Sequence, residues 1–148
     1  MLTTSAKFIQ INKKIAQAKI FRCDQLASGI LYDQGNGHFS FAPLPLPAQF
    51  SRIYGAVTDD FDGDGRKDIL VSGNFFPYRT PLGRDDAGLG MLLKGEGAAF
   101  RAIDPVISGC YIGGDTRGMV EVKNSRGERL LIIAKNDDAV QVLKVNDK

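Results

Sequence analysis

Histidine occurs once in this 148-residue chain, at His38, and cysteine only twice, at Cys23 and Cys110. A lone imidazole in a hairpin turn reads as a solvated polar residue rather than a general base. No Cys/His cluster has metal-ligand spacing, and neither a G-x-S-x-G elbow nor a phosphate-cradling P-loop is present. We therefore expect no catalysis from this chain. Two cysteines so far apart in sequence read as free buried thiols rather than as a disulfide. Net charge is also small: 19 basic and 17 acidic residues leave +2, with the signs interspersed. That balance argues against nucleic-acid binding, which calls for a basic patch or arm. No apolar run approaches the ~18 residues of a membrane span. The stretch Met1–Lys7 has no charged region followed by an apolar one, so it does not read as a signal peptide.

What the chain does have is concentrated in Asp60-Phe61-Asp62-Gly63-Asp64-Gly65-Arg66-Lys67-Asp68. Four carboxylates and two glycines lie between the apolar runs Ala56-Val57 and Ile69-Leu70-Val71. At an effective dielectric of about 20, two carboxylates ~4 Å apart repel by roughly 4 kcal/mol. A hard cation at the centre relieves that repulsion. Calcium suits the pattern, since it accepts six to eight oxygens in flexible geometry, whereas magnesium demands an octahedron. The expected ligands are Asp60, Asp62, Asp64, the backbone carbonyl of Arg66, and Asp68, with Gly65 permitting the sharp turn. An EF-hand needs a bidentate Glu at position 12 and flanking helices. Position 12 here is Val71, in a run that reads as a strand, so the site is of strand–loop–strand type.

The run from Val57 to Val71 resembles the calcium-loop core of FG-GAP/VCBS repeats, which form β-propeller blades in integrin α-subunits and in many secreted bacterial proteins. Leu31-Tyr32-Asp33-Gln34-Gly35-Asn36-Gly37-His38-Phe39 resembles the N-x-G-x-G-x-F hairpin that precedes each such loop. The stretch from about Ser28 to Val145 is further similar to the C-terminal part of Bacteroidetes-type VCBS-repeat proteins. The resemblance implies an all-β fold of propeller-type blades. It also implies a structural Ca²⁺ ion and an extracellular or cell-surface binding or adhesion scaffold. One rival is the non-catalytic propeller of a larger polysaccharide-active enzyme; another is an intracellular calcium-responsive protein.

An apolar content of 43% permits one core. Residues 1–27 read as a helical or connector segment, with Phe8, Ile11, Ile15 and Ala18 at helical spacing over 6–22 and Ser5 as N-cap. Residues 28–148 read as a propeller fragment of about two blades. Strands are expected at 28–33, 37–42, 53–58, 68–73, 89–94, 98–102, 117–123, 129–134 and 139–145. Leu31 and Phe39 recur 61 residues later as Leu92 and Phe100, a blade-sized period. No second Asp-rich loop follows, so one calcium site is expected. Leu44-Pro45-Leu46-Pro47 reads as an extended connector. The long segment Asn74–Gly88, with aromatics beside Arg79, Arg84 and Asp85, suits either self-packing or a glycan or protein ligand. A propeller closes only with at least four blades, so further blades or self-association are expected.

Overall fold

The computed structural model describes residues 18–19, 21–77 and 83–146. It is mainly β, with nine strands in three antiparallel sheets. Among the described residues the sheets form no closed barrel or propeller. The helix expected over 6–22 lies largely outside the described residues. At its described end, Ala18, Lys19, Phe21 and Arg22 are not helical. Phe21 there is 82% exposed, so it lacks the buried apolar face from which a short helix draws its stability.

The first sheet is the hairpin β1 (Gly29–Asp33) and β2 (Phe39–Pro43), in register Leu31↔Phe41 and Asp33↔Phe39. Its turn runs through positive φ at Gly35, Asn36 and Gly37, which explains the glycines. The connector that follows is extended at Pro45, and Leu46–Gln49 then closes a 3-10 turn. Pro47 fits an opening turn, where its missing N–H costs nothing. The turn also buries Ala48. Gln49 fastens it back, donating to the carbonyls of Ser28 at 2.8 Å and Leu44 at 3.0 Å.

The second sheet has the order β3 (Ile53–Asp59), β4 (Asp68–Gly73), β5 (Met91–Gly95), β6 (Phe100–Ile103). A short helix α1 (Pro105–Ser108) follows, capped by Asp104, which accepts from the Val106 amide at 2.8 Å. The third sheet is β7 (Thr116–Lys123), β8 (Arg129–Lys135) and β9 (Gln141–Lys144). All nine strands fall on the expected segments, within a few residues at their ends.

The middle sheet is covered on both faces, as the period of two along β4 and β5 dictates. Val71 and Leu93 point to the first hairpin, packing with Leu44, Ala48 and Ile30. Leu70 and Leu92 point the other way, to Ile112, Leu131 and Ile133 of the third layer. Strands β3 and β7 lie side by side, with Gly55 against Met119. A buried Ser72–Thr116 hydroxyl pair at 3.0 Å joins the same two sheets.

The 61-residue echo is structural, with one adjustment. Asp33 pairs with Phe39 in the first hairpin, but Gly95 pairs with Phe100 in the second, so the second turn is one residue shorter. Phe39 still matches Phe100, while Leu31 matches Leu93 rather than Leu92. Cys110 is half-buried and Cys23 is exposed; both are free, so the expectation of two buried thiols holds only in part. Burial pushes the Cys110 thiol up.

Candidate metal centre

The acidic loop joins β3 to β4, whose last shared pair is Asp59↔Asp68. Positive φ at Gly63 and Gly65 lets the chain double back within so few residues. Asp60 organises the turn from within. Its carboxylate accepts the amides of Gly63 at 2.7 Å, Asp64 at 3.2 Å and Gly65 at 2.8 Å. These bonds, that from Gly65 foremost, hold the Asp60 carboxyl below the usual range.

Asp68 is only 1% exposed. Its two oxygens accept the amides of Gly95 at 2.8 Å and Phe61 at 3.1 Å, so it ties the loop to β5. Each oxygen keeps a second lone pair and can still ligate a cation. Gly95 must be glycine, because a Cβ there would lie 2.3 Å from the Lys67 carbonyl oxygen. Strand β5 therefore runs directly beneath the loop.

Asp60, Asp62 and Asp68 each offer an oxygen within 4.8 Å of the others. Asp64, expected to join them, is outside that group. Its carboxylate instead takes the Arg66 guanidinium at 2.7 Å and the Lys94 ammonium at 3.0 Å. Lys94 also contacts Asp62. Lys94 foremost, then the Arg66 amide, hold the Asp64 carboxyl down to about 2. Asp62 first, then Asp64, raise the Lys94 ammonium above the ordinary lysine range. Arg66 thus has a side-chain role beside the carbonyl role expected of it.

At the loop's near edge, Asp59 accepts from Lys67 at 2.9 Å and from Arg129 at 2.6 Å. The Lys67 hydrogen bond is the main cause of its lowered pKa. Arg129 also grips Glu121 at 2.7 Å and lies over the Phe61 ring, so the third sheet braces the loop. Neither Lys94 nor Arg129 was among the expected site residues. Sequence spacing finds ligands within a loop, whereas these two arrive through strand pairing.

The donor set fits a hard cation: carboxylate oxygens without sulfur or imidazole, converging at a tight turn. The chain's own ammonium on Asp62 and the neighbouring Asp64 shows that positive charge is accommodated there. His38 is exposed in the β1–β2 turn, apart from this centre.

At the other end of β4, Asn74 is 1% exposed and unites three segments. It donates to the carbonyls of Gly88 at 2.8 Å and Gly114 at 2.9 Å, and it accepts from Ser51 at 2.6 Å. Phe75 and Asp85 form a bridge across the long segment, so its described parts fold back on themselves. Arg84 lies over Phe76. Tyr78, Arg79, Thr80, Pro81 and Leu82 lie outside the described residues.

Three antiparallel sheets, with an acidic loop between two strands of the middle one, make a mainly β fold. An FG-GAP-like repeat is found at residues 20–71, spanning the first hairpin, β3 and the whole acidic loop. No curated protein and no solved structure matches the chain. Among the described residues, no helix is long and apolar enough to cross a membrane.

Proposed function

We propose that the chain is a calcium-binding, propeller-type repeat segment of an extracellular or cell-surface binding scaffold, with calcium in a structural role. The observation that carries this reading is the convergence of Asp60, Asp62 and Asp68 inside the FG-GAP-like repeat. Asp64 and the Arg66 carbonyl complete the proposed ligand set. The chain itself is non-catalytic in this reading, and its ligand is a glycan or a protein. Extracellular calcium modules bind with Kd of ~0.1–1 mM. At ~1 mM calcium and a Kd of ~0.1 mM, binding adds about 1.4 kcal/mol of stability. Titration calorimetry is the test. Wild type is expected to take up one calcium, and Asp62→Ala to lose that heat while remaining folded. Equal uptake by both would contradict the assignment.

The sheets are read as successive blades that need neighbours. Leu31 and Phe39 are 66% and 63% exposed at one end of the stack. Their register equivalents, Leu93 and Phe100, pack between the first two sheets. At the opposite end, Val120, Ile132 and Val142 form one cross-strand row, with both valines more than half exposed. Apolar rows of this kind invite another sheet, supplied by further blades or by a second copy. Light scattering is expected to show concentration-dependent association that Leu31→Asp and Val142→Asp each weaken. A monodisperse monomer at every concentration would contradict this part of the reading.

A further inference from the structure

We propose that Lys94 is an internal competitor for the calcium site, its ammonium held by two carboxylates that a bound ion would need. The inference rests on the calcium reading above and assigns what regulates that site's affinity. Three observations converge on it. Lys94 contacts both Asp62 and Asp64. Asp64, the one expected carboxylate outside the converging group, is the one that Lys94 and Arg66 hold. Finally, Lys94 is delivered by a fixed strand: the neighbouring Gly95 amide donates to Asp68, and the Gly95 backbone lies against the Lys67 carbonyl. The lysine is therefore positioned by the same contacts that shape the loop, and it is three-quarters buried there.

Competition follows from charge and from space. A cation that recruits Asp62 and Asp64 must displace the ammonium from both. Once Lys94 is displaced, Asp64 keeps only its bonds to Arg66 and can swing toward Asp60, Asp62 and Asp68. In calcium-free protein the ammonium relieves the repulsion among the carboxylates, so the loop keeps its shape without the ion. The device lets the site empty and refill without unfolding, at the cost of weaker binding. A unit charge at contact distance in a partly exposed site is worth about tenfold in affinity.

The test is calcium titration of the full chain by calorimetry at fixed ionic strength. It compares wild type with Lys94→Met, which keeps the aliphatic stem, and Lys94→Arg, which keeps the charge. Lys94→Met is expected to bind about tenfold more tightly, and Lys94→Arg to stay close to wild type. Melting supplies the second readout. Lys94→Met should melt below wild type in chelator, yet at or above it in saturating calcium. If wild type and Lys94→Met bind calcium equally, the competitor role is wrong while the calcium site stands. If Lys94→Met melts lower by the same amount in both conditions, the lysine is structural only. If neither protein binds calcium, the calcium reading fails and this inference falls with it.

Discussion

Gly73→Ala is expected to destabilise the chain by about 3 kcal/mol or more, the upper end for forced overpacking. A Cβ at Gly73 would lie 1.5 Å from the Arg52 carbonyl oxygen and 2.5 Å from its carbon. Both obstacles are backbone, so no side chain can swing aside. The Gly73↔Ile53 end of the β3–β4 pair would have to part. Parting it also breaks the bond from the Asn74 amide to the Arg52 carbonyl, at 3.0 Å, and displaces the Asn74 side chain that joins three segments. Domains of this kind are stable by only about 5–15 kcal/mol, so such a loss is severe. Denaturant unfolding checks it. A midpoint unchanged from wild type would show that the strands separate there without strain.

Asp68→Ala is expected to cost about 2–5 kcal/mol in chelator, before any calcium is added. The substitution leaves the buried Gly95 amide and the half-buried Phe61 amide without an acceptor, and each orphaned buried donor costs about 1–3 kcal/mol, less where water reaches it. Asp68→Asn keeps one oxygen and should recover roughly half the loss. Asp62→Ala provides the contrast. Asp62 is about a quarter exposed, and its partner Lys94 keeps Asp64, so its removal should cost no more than about 1 kcal/mol. Asp68 therefore links folding to binding, whereas Asp62 reports on binding alone. Equal destabilisation by the two alanine variants, measured in chelator, would contradict that division.

The strands were legible because their signals are local. Short apolar and β-branched runs, as in Gly29–Asp33 and Ile53–Asp59, and glycine or asparagine at the intervening turns, place an element without knowledge of its neighbours. The acidic loop was legible for the same reason, since its carboxylates lie within one turn of chain. What escaped the reading depends on pairing between distant segments. Lys94 stands in an apolar strand and gains its meaning only because β5 pairs with β4 and brings its ammonium to Asp62 and Asp64. Arg129 reaches Asp59 from seventy residues away. Asn74 looked like the start of a loop and is instead a buried junction. The 3-10 turn at Leu46–Gln49 was hidden because proline suits both an extended connector and a first helical turn. The one-residue difference between the two hairpins is invisible to a fixed repeat period, yet it exchanges the two faces of β5 and so decides which leucine is buried toward the first hairpin.

The calcium centre is tested most directly by a crystal structure of the chain grown in millimolar calcium, with the ion located by its anomalous scattering. The account predicts one calcium within the loop, ligated at about 2.3–2.6 Å by Asp60, Asp62, Asp64, the Arg66 carbonyl and Asp68. Lys94 would have turned away from Asp62 and Asp64. A loop that holds no ion under those conditions, with Lys94 still on both carboxylates, would contradict it.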